Sequence, residues 1–506
     1  MRKLKSMTTI AKRGIAVIPA VALQALWIYI ICSFFKRYAV PLELFLSLCS
    51  FFVVLYLNAK REEGAYKSMW LITILTLPIL GIVLYLNFGD KRTGKPLRKA
   101  LERAKLPAAG HDIAAQHAMQ EHPRLAQTFS VIEKKTGFVP VCNTDARYYP
   151  LGDDMFPHML EELKKAERFI FAEYFIIESG TMLDSMIDIM KQKAANGVDV
   201  RLMFDDVGSL ATFSKREVRA LRESGIKVTV FNPLIVLKGT LNYRDHRKML
   251  IIDGKTAFSG GINLADEYIN SYAKHGHWKD IGFQLTGTSV ASYIHMFCEF
   301  WNAFSLDKVP KDIASAVPQI DTGKQDGVVL SYYDSPLYDS PISNNLYIDL
   351  LSQASDYIWF YTPYLMPGDA LLDCMIKAAE RGVDVRLILP GVPDKKIVYR
   401  MSHSYYRILL QSGVKIYEYT PGFLHAKACI VDDMVCAIGT VNLDYRSLFL
   451  HFENNSVFYH ASILQSLKQD YLRTLDKCRS VALTDTHDGF FHLMLDGILR
   501  LFAPLC

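Results

Sequence analysis

The chain has 506 residues, of which 50% are hydrophobic, and a formal net charge of +5. That length is enough for two domains with ordinary cores. Residues 1–105 hold 17 basic and 5 acidic side chains, a balance of +12, which leaves −7 for residues 106–506. Binding of nucleic acid needs a basic surface, so this distribution argues against a nucleic-acid partner. The nine cysteines include no Cys-x-x-Cys pair, and there is no glycine-rich phosphate loop, so we predict no metal and no cofactor.

Three hydrophobic segments dominate residues 1–105, which we assign to membrane anchoring. Residues 15–35 contain no charge, residues 44–57 form a shorter run, and residues 69–88 are again uncharged. About 20 apolar residues span a bilayer, so we predict N-terminal transmembrane helices and a multi-pass integral membrane protein. Two and three spans both fit, and the counts of basic residues do not choose between them. The basic residues between 91 and 105 would attract anionic lipids; a plain anchor flank is the alternative.

An internal repeat divides the rest of the chain. Residues 166–204 parallel residues 354–389, and both read as strand, turn, helix, the hexapeptide Gly-Val-Asp-Val-Arg-Leu and strand. Strands that alternate with helices predict an α/β sandwich in each half. The charged, proline-bearing stretch 306–327 reads as the connection. We therefore place the two halves at 106–320 and 321–506, the second with a C-terminal amphipathic segment.

A second repeat concerns residues that carry chemistry. The spacing His-x-Lys-x-x-x-x-Asp occurs twice, 179 residues apart, and each copy is followed at the same distance by Gly-x-x-Asn. Two matched copies are far stronger evidence than one short motif. The residues are His246, Lys248, Asp253, Gly260 and Asn263 in the first copy and His425, Lys427, Asp432, Gly439 and Asn442 in the second. We interpret the pattern as a duplicated site for phosphoryl chemistry.

These residue types suit attack on a phosphodiester. A neutral imidazole can attack phosphorus and hold it covalently, while a protonated imidazole can give its proton to the leaving alkoxide. The lysines would supply positive charge to the phosphate oxygens, with the asparagines as donors beside them. Residues two apart in a strand share a face, so each motif histidine is predicted to share its pocket with the following lysine. The motif aspartates precede turns and are expected to brace the fold.

Two further carboxylates follow the motifs. Asp280 closes the sequence HWKD after the first motif, and Glu453 lies in FENN after the second. Each is a candidate for orienting a catalytic imidazole. An ordinary carboxylate at the end of a strand is the alternative.

The duplicated motif resembles that of the phospholipase D superfamily, and the whole chain resembles the bacterial cardiolipin synthases within it. Supporting stretches are AEYFII, HWKD, FYTPYLMPG, NLDYRS and FENN, together with the hydrophobic N-terminus. The resemblance implies two phospholipase D-like halves with pseudo-two-fold symmetry that meet to form one active site, with His246 as nucleophile and His425 as general acid/base. One position departs from the family pattern, since Gly261 stands where serine is usual, while the second copy keeps Thr440.

The resemblance also implies a reaction and a location. One phosphatidylglycerol would donate its phosphatidyl group, through a phosphatidyl-histidine, to a second, giving cardiolipin and glycerol. This would take place at the bacterial cell membrane, among anionic lipids, with the catalytic part in the cytoplasm. A membrane-bound phospholipase D, in which water replaces the second lipid, would use the same residues. A catalytically silent lipid-binding or scaffolding protein is a third interpretation, against which both copies keep His and Lys.

Overall fold

The structure is a computed structural model of the chain. It describes residues 39–60, 62–89, 94–107, 110–234, 242–314, 326–486 and 489–505, with positions 22, 25, 26 and 29 described singly. The predicted hydrophobic run 15–35 therefore lies outside the described residues apart from those four positions. So do residues 91–93 of the basic flank and residues 315–325 of the predicted connection.

The first half is built on a seven-stranded mixed sheet. The first eight strands of the chain, all in this sheet except β7, are β1 (Thr144–Tyr149), β2 (Phe169–Tyr174), β3 (Asp199–Asp205), β4 (Lys227–Phe231), β5 (Met249–Ile252), β6 (Thr256–Gly260), β7 (His277–Lys279) and β8 (Gly282–Gly287). Across the sheet the order is β1-β8-β6-β5-β2-β3-β4. Strands β2, β3 and β4 run parallel, and β5 returns antiparallel to β2. The four residues of β5 are all buried, as a central strand covered on both faces requires.

The second half repeats this plan. Its strands are β9 (Val328–Asp334), β10 (Tyr357–Tyr361), β11 (Asp384–Pro390), β12 (Lys415–Tyr419), β13 (Gly422–Leu424), β14 (Ala428–Val431), β15 (Val435–Gly439), β16 (Glu453–Tyr459) and β17 (Cys478–Ser480). All except β13 form one sheet in the order β17-β12-β11-β10-β14-β15-β16-β9. Apart from the added edge strand β17, this is the order of the first sheet. The predicted pair of repeated α/β domains is confirmed.

Helices connect the strands and cover the sheets. From residue 110 onward they are Ile113–Ala118, Pro123–Thr136, Gly152–Lys165, Thr181–Ala195, Lys215–Glu223, Val290–Phe304, Lys311–Ala314, Ile342–Gln353, Asp369–Glu380, Lys396–His403, Tyr406–Gln411, Tyr445–Phe449, Ile463–Leu475 and Phe490–Phe502. Local signals set their ends: Lys215–Glu223 begins at a capping box of Ser214 and Glu217, and Pro123–Thr136 ends at Gly137 with φ of 84°. The largely buried helix Val290–Phe304 packs on the first sheet and on β9 of the second.

The segment between residue 106, the predicted start of the first half, and the first sheet packs on the second half. The first sheet begins only at Thr144, and the preceding helix Pro123–Thr136 packs on β9 and on helix Ile342–Gln353 of the second half. Val141 forms a backbone bridge with Val329. The segment that leads into the first half is thus part of the packing of the second, which ties the two together.

The N-terminal region differs from the predicted membrane spans. Its helices are Ala39–Ala59, Gly64–Thr76, Pro78–Leu84 and, in the basic flank, Lys95–Ala104. Residues 69–88, predicted as an uncharged hydrophobic span, do not form one α-helix, because one helix ends at Thr76 and the next begins at Pro78. A Cβ on Gly81 would lie 2.6 Å from the carbonyl of Thr73. Counting only residues whose placement is described, no helix is both long and apolar enough to cross a membrane.

The two halves are joined at their catalytic motifs. Strand β7 of the first half pairs in parallel with β13 of the second, and Asp245 bridges to Phe452 in the equivalent way. The backbone amide of His246 donates to the carbonyl of Phe452 at 2.9 Å, and that of His425 donates to the carbonyl of Lys279 at 2.7 Å. The pseudo-two-fold interface therefore brings both motifs to one place.

Candidate active site

Both motif histidines line one cavity between the halves, with a volume of about 630 Å³. Polar residues of the motifs and a wall of aromatic side chains share its surface. The residues that line it include Phe175, Arg244, His246, Asn263, Tyr268, Lys274, Trp278, Tyr364, Lys395, Phe423, His425, Asn442, Arg446, His451 and Leu505. Since residues of both halves contribute, neither half alone forms the site.

Strand periodicity explains how the first motif is presented. Arg244 and His246 line the cavity, whereas the intervening Asp245 and the next residue, Arg247, are fully buried and paired with each other at 2.9 Å. Arg247 also pairs with Glu173 of β2. This alternation is what an extended segment dictates. The core ion pairs fix the strand, and the strand fixes the histidine.

Each histidine is held by a carboxylate from the opposite half. Nδ1 of His246 lies 2.9 Å from both oxygens of Glu453, and Nδ1 of His425 lies 2.6 Å from Oδ2 of Asp280. Both carboxylates are completely buried. A carboxylate on Nδ1 fixes the tautomer and leaves Nε2 for chemistry. The sequence suggested an orienting role for both carboxylates but did not show that the partners are exchanged between halves.

The site keeps both imidazoles neutral. Burial, followed by the charge of Lys248, holds the pKa of His246 well below its ordinary value. Burial and the ammonium of Lys427 lower the pKa of His425 to about 4, against the opposing effect of Asp280. A neutral imidazole is the form that can act as a nucleophile or accept a proton.

The motif lysines lie behind the histidines. Lys248 and Lys427 are each 1% exposed, and each ammonium donates to the backbone carbonyl of its own motif histidine. Neither is among the described residues that line the cavity, so the predicted sharing of one pocket surface is not what the structure has. Burial lowers the pKa of Lys248 to about 7 and that of Lys427 to about 8. Their positive charge therefore acts on the cavity from behind the two histidines.

The motif asparagines, predicted as phosphate donors, line the cavity. Asn263 accepts the amide of Ile176 at 3.1 Å and donates to the hydroxyl of Tyr268 at 2.7 Å. Asn442 donates to Asp444 at 2.8 Å. Both side chains are therefore held in place by neighbouring groups.

The motif aspartates are not among the described residues that line the cavity, and their contacts are to backbone amides rather than to the reacting groups. Asp253 accepts the backbone amides of Glu167, Arg168 and Phe169 at 2.7–2.9 Å, which anchors the start of β2. Asp432 does the same for three amides at the start of β10, at 2.7–3.0 Å. Their chemistry is that of a backbone cap, because all their oxygens are used on amides.

The motif glycines allow close packing of the strands. A Cβ on Gly260, whose φ is 140°, would lie 2.4 Å from the carbonyl of Ile281, and one on Gly439 would lie 2.3 Å from that of Asn454. Neither glycine is among the described cavity-lining residues. They bring the carboxylate-bearing segments close to the motif strands rather than binding substrate.

Sequence reasoning missed several residues of the site. Arg244 could have been found, since it stands two residues before His246 and shares its face. Phe175 and Tyr268 carry no motif, yet their rings meet His246 and His425 edge-on at centroid distances of 4.9 and 5.4 Å. Only the fold brings them there.

One group of described residues has the spacing of a metal site. Ligand atoms of His246, His451 and Glu453 lie within 4.8 Å of one another. His246 and Glu453 already bond each other, so a cation there would replace the contact that orients the imidazole. The absence of a metal from the chemistry stays a prediction.

Comparisons with known proteins agree with this geometry. The chain matches the family model described as "Cardiolipin synthase, PLD-like domain" over residues 159–274 and 347–475, and the one described as "Phospholipase_D-nuclease N-terminal" over residues 45–89. It is 31% identical over 503 residues to the cardiolipin synthase of Alkalihalophilus pseudofirmus, covering 98% of this chain and 100% of that protein. The chain belongs to the cardiolipin synthase family. The predicted resemblance is confirmed, and membership of this family makes the protein a phosphatidyltransferase.

Two further similarities place the chain among other proteins. It is 40% identical over 460 residues to an uncharacterized protein of Streptococcus mutans, covering 89% of this chain and 99% of that protein. Among solved structures, phosphatidylserine synthase of Haemophilus influenzae matches with a TM-score of 0.58 at 14% identity, covering 75% of this chain and 97% of that one. At that identity the likeness shows the fold alone, and it agrees with the paired α/β halves of the cardiolipin synthase family.

Proposed function

We propose that this protein is a cardiolipin synthase that transfers a phosphatidyl group from one phosphatidylglycerol to another and releases glycerol. The observation that carries the proposal is the pair of histidines in one cavity, each with Nδ1 on a carboxylate of the other half. Two imidazoles so oriented present Nε2 as a nucleophile and as a general acid/base.

In the first step Nε2 of His246 attacks the phosphorus of the donor lipid. A P–N bond forms, and the P–O bond to the glycerol headgroup breaks. His425 takes up a proton as the anionic phosphodiester enters the site, because a negative charge favours imidazolium. It gives that proton to the departing oxygen, so that glycerol leaves neutral and a phosphatidyl-histidine remains.

In the second step the terminal hydroxyl of another phosphatidylglycerol gives its proton to His425. The hydroxyl oxygen attacks phosphorus, the P–N bond breaks, and His246 returns to its neutral form. One phosphodiester has been exchanged for another, so the reaction needs no nucleotide. The ammonium groups of Lys248 and Lys427 stabilise negative charge that develops at phosphorus.

The walls of the cavity support transfer to a lipid rather than to water. Trp278 and Phe423 pack together at a centroid distance of 4.8 Å beside His425, and Phe175 covers His246. Aromatic surface next to the reacting groups offers few donors or acceptors to position an attacking water. A membrane-bound phospholipase D would need such a water.

We further propose that the protein works at the bacterial membrane, anchored by its N-terminal hydrophobic segments, with the catalytic halves on the cytoplasmic side. Helix Phe490–Phe502 contacts helix Gly64–Thr76 and leaves Phe490 and Phe491 70% and 83% exposed. Leu505, just beyond this helix, lines the catalytic cavity. Exposed apolar surface next to the cavity fits a lipid bilayer that delivers substrate.

The first test of the reaction uses purified protein in detergent with phosphatidylglycerol alone, without nucleotide or added metal. Cardiolipin and free glycerol in equal amounts are expected. Phosphatidic acid in place of cardiolipin would make the protein a hydrolase, and absence of turnover would contradict both enzymatic interpretations.

The membrane proposal is tested separately, by flotation with vesicles of phosphatidylglycerol and phosphatidylcholine in high salt. The unaltered protein should float with the vesicles. Since the N-terminal segments should keep the Phe490→Ser/Phe491→Ser variant on the vesicles as well, the helix is tested by the rate of cardiolipin synthesis in the floated fraction, which should fall because two large apolar side chains are withdrawn from the bilayer. An equal rate in the variant and the unaltered protein would remove this helix from the membrane surface, and failure of the unaltered protein to float would contradict the membrane proposal.

A further inference from the structure

The two halves place different side chains at equivalent positions beside the histidines. Arg244 stands two residues before His246, and Phe423 stands two residues before His425. Both line the cavity. Phe423 packs on the rings of Trp278 and Tyr364. The pseudo-two-fold symmetry of the backbone is therefore broken in the chemistry of the cavity.

The same contrast holds across the interface. Two residues before each orienting carboxylate stand His451 and Trp278. The ring of His451 lies 5.7 Å from that of His246, and the ring of Trp278 lies 5.7 Å from that of His425. At these four equivalent positions, an arginine and a histidine stand beside His246, and two aromatic rings stand beside His425.

Arg244 has bonding capacity that the described protein does not use. Its side chain is 1% exposed; Nε lies 3.3 Å from Oδ2 of Asp205, and Nη2 donates to the carbonyl of Asn232. Nη1 has no hydrogen-bond partner among the described residues. Leaving a buried guanidinium N–H unpaired costs free energy, which a bound anion would recover. Asp205 lies next to Nε and leaves Nη1 without a hydrogen-bond partner among the described residues.

The remaining cationic side chains of the cavity are engaged with protein groups. Lys274 faces Glu267 at 3.3 Å, Lys395 lies 3.9 Å from Asp394, and Arg446 donates to His451 and to the carbonyl of Leu505. Arg244 is thus the cavity-lining cation that has a guanidinium nitrogen without a hydrogen-bond partner among the described residues.

The proposed reaction supplies a reason for a second anion in the cavity. The acceptor phosphatidylglycerol carries its own phosphodiester one glycerol length from the hydroxyl that attacks. When the reacting phosphate lies between the two histidines, this second phosphodiester has to lie in the same cavity. A guanidinium is well suited to it, because its planar N–H groups match phosphate oxygens.

We propose that Arg244 forms the subsite for the phosphodiester of the second lipid, the one that is not cleaved. This rests on the proposed function. The subsite would make the protein selective for an acceptor alcohol that carries a phosphate. It would also distinguish transfer to phosphatidylglycerol from transfer to a small neutral alcohol at the same phosphatidyl-histidine.

The test compares two reactions of the full-length protein. Exchange of radiolabelled glycerol into phosphatidylglycerol needs only the first step and its reversal, whereas cardiolipin synthesis also needs the acceptor lipid. Arg244→Gln should lower the ratio of synthesis to exchange by about tenfold or more, because hydrogen bonds to charged groups are the strong class. Arg244→Lys, which keeps the charge, should lower it less.

Arg201→Gln is the matched control. Arg201 is also 1% exposed and paired with an aspartate, Asp199 at 2.8 Å, but it is not among the described cavity-lining residues. Any loss of stability in this variant should reduce both reactions together and leave their ratio within about twofold, since no substrate contact is removed.

Two results would overturn the subsite. One is an unchanged ratio in Arg244→Gln; the other is a parallel loss of exchange and synthesis while Arg201→Gln retains both. If Arg244→Gln does not fold, the decisive measurement is the KM of Arg244→Lys for phosphatidylglycerol in cardiolipin synthesis. A raised KM with glycerol exchange retained supports the subsite. An unchanged ratio of synthesis to exchange excludes it. Failure of the proposed function is distinct, because the unaltered protein would then make no cardiolipin.

Discussion

In both histidine–carboxylate pairs, Nδ1 of the imidazole contacts a carboxylate oxygen. The pairs differ in the groups that hold the carboxylate in place. In the pair formed by His246 and Glu453, the carboxylate also accepts the hydroxyl of Thr440. The hydroxyl of Thr440 therefore holds the carboxylate of Glu453 in place.

In the pair formed by His425 and Asp280, no hydroxyl takes part on the motif side. The carboxylate accepts the amide of Ile281 at 2.8 Å. The position equivalent to Thr440 is Gly261, where a Cβ would lie 2.1 Å from Oδ1 of Asp280. An aspartate is one methylene shorter than a glutamate and has to approach more closely, which only a glycine permits.

The two halves keep the same imidazole–carboxylate contact but differ in the groups that hold the carboxylate. The bond between imidazole and carboxylate recurs in both halves, since the chemistry depends on it. The residue that supports the carboxylate has changed together with the length of the carboxylate side chain. Glycine at position 261, where the family usually has serine, thus leaves room for the short side chain of Asp280.

The largest expected effect is that of removing either histidine. His246→Ala and His425→Ala should each lower cardiolipin synthesis by about 10³-fold or more, because the first removes the nucleophile and the second removes the general acid/base. With a donor lipid that carries a nitrophenyl leaving group, His425→Ala should still form a covalent lipid adduct and His246→Ala should not. Mass spectrometry of acid-quenched protein measures this. An adduct in His246→Ala alone would exchange the two roles, and full synthesis in His425→Ala would contradict the mechanism.

The crossed arrangement of the carboxylates predicts a particular pattern of coupling. Glu453→Gln and Asp280→Asn should each lower synthesis by about 10²-fold, since each leaves an imidazole in the wrong tautomer. Adding Asp280→Asn to His425→Ala should cost little more, because both changes disable one unit. Adding Glu453→Gln to His425→Ala should slow adduct formation from the nitrophenyl donor further. The opposite pattern would mean that each carboxylate serves the histidine of its own half.

The residues that position the two carboxylates, Thr440 and Gly261, should differ in their sensitivity to substitution. Thr440→Val should lower kcat by about tenfold to a hundredfold, because a hydrogen bond to a charged group contributes roughly 1.5–3 kcal/mol. Gly261→Ala should cost at least as much, because the added methyl displaces Asp280. Steady-state kinetics and a thermal melt of each variant separate the effect on catalysis from one on folding. Tolerance of alanine at 261 would show that Asp280 has room to move.

The smallest expected effect is a pH dependence set by the lysines. An ammonium is charged below its pKa and loses its charge as the pH rises through it. With the pKa of Lys248 at about 7 and that of Lys427 at about 8, kcat/KM should fall between those values. The fall in kcat should lie at higher pH, because a bound phosphodiester holds both protons. A kcat/KM that stays level through this range would contradict the depressed pKa values.

Much of the fold followed from the sequence by local rules. The repeat of strand, helix and strand gave two α/β halves, since apolar periodicity and helix stops act within a few residues. The break before Pro78 was missed because hydropathy over 69–88 reports composition and not backbone continuity. The packing of helix Pro123–Thr136 on the second half was missed because no local pattern records which distant sheet a helix covers.

By itself the sequence determined the chemistry: the types and spacing of His246, Lys248, His425 and Lys427 are those of a phosphodiester site. Only the tertiary structure decided which carboxylate holds which histidine, that the lysines lie behind them, and that the motif aspartates cap β2 and β10. Spacing along a strand places Arg244 and Phe423 on the faces that carry His246 and His425. The carboxylates that hold the two histidines lie 207 and 145 residues away along the chain, and only the packed interface brings them together.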